Sequence, residues 1–160
     1  MEKSNKTAEK ILLAARAEFA RYGFNGARMD EIAHRADVNK ATLYYQIGDK
    51  DTLYASVIHH VIGSVAQDIA GAVELAKTSE DKIKAYIICI ARAVDKNPEL
   101  PPIMMREIAA GGANLPRVVI EDIASVVKTL TGILDEGTNK GVFIETVPFL
   151  LHMMVLGSIL

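Results

Sequence analysis

Between residues 26 and 53 the chain reads GARMDEIAHRADVNKATLYYQIGDKDTL. The apolar residues in the first part of this stretch recur at the three-and-four spacing that places side chains on one face of a helix. They are Met29, Ile32, Ala33 and Ala36. Residues 37–39 interrupt the spacing, so the stretch predicts a short helix, a tight turn and a second short helix.

Two residues shape the predicted turn. Asp37 lies where the backbone must reverse sharply, and Asp tolerates a left-handed conformation better than most residues. Asn39 is a good N-cap, because its side chain can accept a hydrogen bond from the amide two or three residues later. The second short helix is therefore predicted from Lys40 to about Gln46, with Val38 and Leu43 facing inward.

Longer helices flank this pair. The first is predicted over residues 6–22, and Gly23 ends it because glycine readily adopts a left-handed conformation. Gly48-Asp49 closes the Lys40–Gln46 helix and caps a long fourth helix that reaches about residue 77. Two short helices joined by a tight turn and supported by a longer one form the helix-turn-helix arrangement, whose second helix enters the major groove of DNA.

The rest of the chain also has helical periodicity. Further helices are predicted over about residues 80–96, from Pro101-Pro102 to Gly111-Gly112, over about 115–136, and from near Pro148 onward, with a turn from Gly137 to Gly141. The apolar stripe predicted for the 115–136 helix is Ile120, Ile123, Val127, Leu130 and Leu134. No strand-like alternation extends beyond a few residues, so the predicted fold class is all-α, with a three-helix N-terminal head and a helical C-terminal domain.

Composition indicates a folded protein without a membrane span. Half of the residues are hydrophobic and 24% are charged, which is typical of an ordered globular chain. The polar N-terminus lacks the apolar run of a signal peptide, and the one cysteine cannot form an intramolecular disulfide. The longest apolar stretch, residues 149–160, is shorter than the roughly 20 residues that span a bilayer. The expected location is the cytoplasm.

Charge alone does not identify the partner. Residues 1–54 hold nine Lys/Arg against eight Asp/Glu, a net charge of +1, and the remainder holds nine against twelve, a net charge of −3. This asymmetry is small, so the case for DNA binding depends on where particular residues lie.

Enzymatic motifs have little support. His59 and His60 are adjacent, so they point about 100° apart on a helix and are poorly spaced to bind one metal ion. The sequence has no glycine-rich phosphate loop, nucleophile elbow or paired-carboxylate motif. We therefore predict no enzyme, no cofactor and no metal site.

Several elements of the N-terminal stretch, in register, resemble the signature of the tetracycline-repressor (TetR) family of transcriptional regulators. They are the Ile32-Ala33 pair before the turn, Thr42-Leu43-Tyr44 in the second short helix, and Lys50-Asp51 at the start of the long helix. Residues 106–112 and 136–143 are similar to parts of many members' C-terminal domains. The resemblance covers the whole chain, tightly in the head and loosely in the body.

The resemblance implies a sequence-specific regulator, most often a repressor, that acts as a homodimer on a palindromic operator in double-stranded DNA. Residues 1–54 would be the DNA-binding domain and residues 55–160 the effector-binding and dimerisation domain. A small apolar effector in the body would tilt the fourth helix and release the DNA. Members usually carry one more helix, so either a further helix is expected after Leu160 or dimerisation is expected to be unusual.

The resemblance also implies roles at the DNA. Thr42 and Tyr44 would contact phosphates, Lys40 and Tyr45 would face base edges or the adjacent backbone, and Lys50 would meet a phosphate. Hydroxyl, phenol and ammonium groups near helix N-termini suit phosphate oxygens, and lysine can read guanine. The full predicted set is Arg28, Lys40, Ala41, Thr42, Tyr44, Tyr45, Gln46 and Lys50. The alternative for the two tyrosines is core packing, and for Lys50 a solvated charge.

The chain departs from the family pattern at four places. Asp37 replaces the frequent Gly of the turn and Asn39 replaces the Ser of the cap, and both are physically equivalent solutions. Gln46-Ile47 replaces a His-Phe pair, which is expected to alter base preference. Arg28 occupies an N-cap position that is often Ser or Thr, so a longer cation would have to reach the same phosphate.

The candidate effector pocket lies in the body and is apolar, with methionines that can adapt to a ligand. Its predicted residues are Tyr86, Cys89, Met104, Met105, Phe143, His152 and Met153. The alternative is that each is an ordinary core or dimer contact, and a sensor role for the single thiol is disfavoured. Two other functions stay open for the whole chain: a small-molecule or protein-binding module without operator recognition, and a helical enzyme.

Overall fold

The computed structural model describes residues 2–159, with side chains from residue 6 onward. These residues form eight α-helices and no β-strand, which confirms the predicted all-α class. The helices are α1 (Glu2–Gly26), α2 (Met29–Arg35), α3 (Lys40–Gln46), α4 (Lys50–Leu75), α5 (Ser79–Lys96), α6 (Leu100–Ala109), α7 (Arg117–Asn139) and α8 (Pro148–Ile159).

The turn between α2 and α3 has the predicted chemistry. Asp37 has a φ of 56°, which makes it the one non-glycine residue with a positive φ in the described part of the chain. The Asn39 side chain accepts a hydrogen bond of 2.7 Å from the Thr42 amide and so caps α3. The α3 bounds, Lys40–Gln46, are those predicted. Gly23, with a φ of 67°, interrupts α1 near its end, where the helix was expected to stop.

Removing this cap gives a first test of the turn. Asn39→Ala is expected to lower the free energy of unfolding by about 1 kcal/mol, because the Thr42 amide loses its acceptor at the helix N-terminus. Urea unfolding followed by circular dichroism measures the change. Asn39→Ser keeps a side-chain oxygen in place and is expected to stay within a few tenths of a kcal/mol of the parent protein. Equal losses for the two variants would contradict the capping role.

The predictions for α7 were wrong in two respects. The helix continues through Gly137 to Asn139, and the chain turns only at Gly141, which has a φ of 69°. The buried stripe also differs, because Ile120 is 52% exposed. Apolar residues occupy more than half of the helix circumference, so their spacing alone did not select one face. The buried residues are Val119, Val126, Leu130, Ile133, Leu134 and Gly137.

The helices cluster into two compact units. The first contains the chain up to His60 together with Glu99–Val118, and the second contains Val61–Pro98 together with the chain from Val119 onward. The units therefore differ from a division after residue 54, since α6 clusters with the N-terminal helices. The assignment of DNA binding to residues 1–54 and of effector binding to residues 55–160 stays a prediction.

The core of the first unit joins α1, α2, α3 and α6 to the start of α4. The Phe19 and Tyr54 rings meet edge to face with their centroids 4.7 Å apart. The Tyr54 hydroxyl donates to Glu107 Oε1 at 2.8 Å, and Arg106 Nη2 donates to the Arg21 carbonyl oxygen at 3.0 Å. Neighbouring residues of α6 thus hold the start of α4 and the end of α1. Other large buried side chains of this unit are Ile11, Ile32, Leu43, Leu53, Ile58 and Ile103.

The core of the second unit surrounds one buried polar pair. The Tyr86 hydroxyl and His152 Nδ1 lie 2.7 Å apart and join α5 to α8. Burial lowers the pKa of His152 and raises the pKa of Tyr86, so both groups are held in their neutral forms at neutral pH. The apolar residues of this core are Ile69, Ile90, Val126, Leu130, Ile133, Leu134 and Val155.

Candidate DNA-binding surface

Helix α3 has one anchored face and one open face. Leu43 is fully buried, while Tyr44 is 43% exposed and Tyr45 is 87% exposed. Successive side chains lie about 100° apart around a helix, so Tyr45, two residues after Leu43, lies nearly opposite the buried leucine and points outward. The open face therefore presents two phenol rings, of which Tyr45 has almost no packing within the described chain.

The other residues predicted on α3 lie around this face. Lys40 and Ala41 are exposed at the start of the helix, and Thr42 and Gln46 are half-buried. The Lys40 ammonium is engaged, since its Nζ lies 2.7 Å from Asp30 Oδ1 on α2. This ion pair was not predicted from the sequence, because it joins positions ten residues apart on different helices.

Lys50 has a local partner that the sequence did not indicate. Its Nζ donates to the Asn25 carbonyl oxygen at 3.3 Å and lies 5.0 Å from the centroid of the Phe24 ring. A cation over a ring face and against a carbonyl at the end of α1 helps to fix that end. The Lys50 ammonium is therefore not a freely solvated charge, because it already contacts the end of α1. Its contact with a phosphate stays a prediction.

Arg28 contributes its backbone to the packing of the head. It lies at the N-cap position of α2, where its side chain makes no capping hydrogen bond. Its amide points at Glu18 Oε1 on α1, at a distance of 3.5 Å. The Glu18 carboxylate, which is buried, also pairs with Arg35 Nη2 at 3.5 Å. Glu18 therefore links α1 to both ends of α2.

Sequence reasoning missed Glu18. The signal was present, because Glu18 lies three residues after Ala15 and next to Phe19, within the apolar face of α1. An acidic residue in such a stripe indicates a buried carboxylate with a specific partner.

The predicted effector residues are divided between the two units. Tyr86 and His152 form the buried polar pair of the second unit, and Cys89 and Phe143 pack against the same core. Burial raises the pKa of the Cys89 thiol, which makes it less reactive at neutral pH. Met153 is half-buried on α8. The remaining two, Met104 and Met105, lie on α6 in the first unit, where Met105 is 50% exposed.

Comparison with known proteins identifies the family. A family model described as "Bacterial regulatory proteins, tetR family" matches residues 11–57, which include α2 and α3. The HTH-type transcriptional repressor SCO4008 of Streptomyces coelicolor is 32% identical over 143 residues, which cover 89% of this chain and 70% of the relative. The chain belongs to the TetR family. It is a DNA-binding regulator of transcription with a helix-turn-helix head.

Other TetR-type proteins agree with this assignment. The HTH-type transcriptional repressor NicS of Pseudomonas putida is 27% identical over 89% of this chain and 68% of its own length. The solved structure of the hemolysin II transcriptional regulator HlyIIR has a TM-score of 0.76 and 26% identity over 91% of this chain and 80% of that one. FadR from Bacillus subtilis, at 22% identity and a TM-score of 0.76, shares the fold over 94% of this chain and 82% of its own.

Two further observations concern other classes of protein. No helix within residues 2–159 is long and apolar enough to cross a membrane. Among the same residues, no three His, Cys, Asp or Glu side chains lie close enough together to hold a metal ion. The relatives are regulators of transcription, not enzymes.

Proposed function

We propose that this TetR-family chain is a repressor that binds a roughly palindromic operator as a homodimer and is released by a small apolar ligand. The observation that carries the proposal is the open face of α3. A seven-residue helix anchored by buried Leu43 and presenting Tyr45 at 87% exposure is built to place side chains on another surface. Named repressors among the relatives support repression as the outcome.

The residues of the open face have suitable chemistry for a major groove. The Tyr45 ring can lie against a thymine methyl group, and the Lys40 ammonium can donate to the acceptors of a guanine. The hydroxyl groups of Thr42 and Tyr44 suit phosphate oxygens at the edges of the groove. In this proposal phosphate contacts position the helix, and Lys40 and Tyr45 supply the discrimination between bases.

Dimerisation is supported by the apolar surface of α8. Phe149, Leu150 and Met154 are each more than half exposed on this helix, and a second copy of the chain would cover them. A two-fold axis would then place two α3 helices in successive major grooves, about 34 Å apart. The operator would be an inverted repeat because it must match that symmetry.

Ligand control is supported by the core of the second unit. The Tyr86–His152 pair lies among aliphatic side chains, so a ligand that entered there would meet an apolar wall with one hydrogen-bonding group. FadR, which shares the fold, has been solved in complex with stearoyl-CoA. A ligand would release DNA only if it bound the DNA-free conformation more tightly. Such a regulator would act in the cytoplasm, where bacterial DNA is located.

Selection from a pool of random duplexes tests the proposal. The parent chain is expected to enrich an inverted repeat, and Tyr45→Ala is expected to bind that repeat about 5- to 150-fold more weakly for each half-site, because one base contact contributes roughly 1–3 kcal/mol. Thermal unfolding of Tyr45→Ala should match the parent, since Tyr45 packs against almost nothing. Affinity is measured by fluorescence anisotropy at fixed salt.

The matched control for this variant is Leu75→Ala. Leu75 is another large exposed side chain, at the end of α4 in the second unit, and its replacement is expected to leave DNA affinity unchanged. An equal loss of DNA affinity in both variants would contradict the proposed contact between α3 and DNA. Dimerisation and ligand uptake without any enriched sequence would favour a binding module that lacks operator recognition.

A further inference from the structure

Lys40 and Asp30 form an ion pair across the helix-turn-helix. Lys40 is the first residue of α3 and Asp30 the second of α2, and their Nζ and Oδ1 atoms lie 2.7 Å apart. Both side chains remain about half exposed, at 56% and 54%. The hydrogen bond between them lowers the pKa of Asp30 and raises the pKa of Lys40. The ammonium proposed to meet DNA is therefore already held by a carboxylate of the same head.

This pair neutralises the charge that α3 itself supplies. Lys40 is the single charged residue in the α3 sequence KATLYYQ. A pair between exposed side chains is weak and open to solvent, so an acceptor on DNA can take the place of the carboxylate. Asp30 would thus compete with a DNA phosphate for Lys40.

The ion pair with Asp30 is expected to affect binding to arbitrary DNA and binding to the operator differently. Binding to arbitrary sequence depends on counterion release, to which each lysine that neutralises a phosphate adds about 0.9 to the slope of log affinity against log salt. A phosphate offers Lys40 the same kind of anionic oxygen that Asp30 provides, and it also repels Asp30. A guanine offers two uncharged acceptors at fixed positions, so the Lys40 ammonium, which has three N–H donors, can bind it without leaving Asp30.

We infer that Asp30 is a specificity-determining residue, which by holding Lys40 weakens attachment to arbitrary DNA more than attachment to the operator. The inference rests on the proposed function, because it requires Lys40 to contact the operator bases. Its role differs from that of Tyr45, since Asp30 acts by withholding a charge and need not touch the DNA.

The test compares the full-length parent with Asp30→Asn on two duplexes, one of mixed sequence and one carrying the selected operator. Each affinity is measured from about 50 to 200 mM salt. On the mixed sequence, Asp30→Asn is expected to bind about 3- to 10-fold more tightly, with a salt slope steeper by about 0.9 for each Lys40 of the dimer. On the operator its affinity is expected to change by less than about twofold, so the ratio of the two affinities falls. Equal gains on both duplexes would overturn the inference.

Two controls separate the pair from general charge. Glu31→Gln removes the neighbouring exposed carboxylate of α2, which has no ion pair among the described residues, and it should raise mixed-sequence affinity much less. In a Lys40→Met background, Asp30→Asn should lose most of its effect. A Glu31→Gln effect as large as that of Asp30→Asn, or an unchanged effect without Lys40, would overturn the inference. If no operator is enriched, the proposed function fails, while the mixed-sequence comparison still shows whether Asp30 restrains Lys40.

Discussion

Gly137→Ala is expected to lower the free energy of unfolding by about 2–4 kcal/mol. A Cβ atom at this position would lie 2.0 Å from Cδ2 and 2.5 Å from Cε2 of Phe143, far inside contact distance. The ring cannot move freely, because it packs against the core of the second unit and the Phe143 amide donates to the Gly137 carbonyl oxygen at 3.1 Å. Relief of the clash would therefore require Phe143 to leave that core.

The same helix offers a matched control for this prediction. Gly132 is exposed on α7, and a Cβ there would meet nothing within 4 Å. Gly132→Ala is therefore expected to raise the free energy of unfolding by up to about 1 kcal/mol, since alanine favours helix more than glycine does. Urea unfolding of both variants measures the two changes in the free energy of unfolding, which are expected to have opposite signs. A small, similar change in both would mean that Phe143 relaxes without cost and would contradict the packing argument.

The difference between α3 and α7 shows which parts of this fold the sequence could predict. The bounds of α3 depend on contacts within three residues, namely the Asn39 cap and the left-handed Asp37, and such chemistry can be read locally. The need for glycine at position 137, inside α7, depends on Phe143, six residues beyond it, whose ring occupies the space that a side chain would fill. The glycine was interpreted as a helix stop because nothing local distinguishes the two uses.

The candidate site divides in the same way. The outward position of Tyr45 agrees with Leu43 facing the core, and it excludes the core packing that the sequence had left open for this tyrosine. The partners of Lys40, Lys50 and Glu18 lie on neighbouring helices, and their distances depend on how those helices pack. No spacing rule within one helix contains that information. Predicted roles at DNA therefore need the structure to show which cations are already engaged.

Glu107 of α6 is a buried carboxylate whose hydrogen-bond partners are a hydroxyl, an amide side chain and a backbone amide rather than a lysine or arginine. These partners are brought to it only by the packing of the helices and the turn after α6. Its Oε1 accepts from the Tyr54 hydroxyl at 2.8 Å and from Asn114 Nδ2 at 3.3 Å, and its Oε2 accepts from the Asn114 amide at 3.2 Å. Burial, together with the hydrogen bond to Glu107, raises the pKa of Tyr54, so this hydroxyl stays a donor at neutral pH. The start of α4 and the turn after α6 thus share one buried acceptor.

Glu107→Ala is expected to lower the free energy of unfolding by about 3–5 kcal/mol, because it leaves the buried Tyr54 hydroxyl without an acceptor and also opens a cavity. Tyr54→Phe removes only the donor and is expected to cost about 1–2 kcal/mol. Since both variants break the same hydrogen bond, the double variant should cost less than the sum of the two. Glu99→Ala, at the other end of α6 where the side chain makes no capping bond, is the control and should change stability little. Additive losses would show that Tyr54 and Glu107 stabilise the first unit independently, and the shared acceptor would then not be what joins α4 to α6.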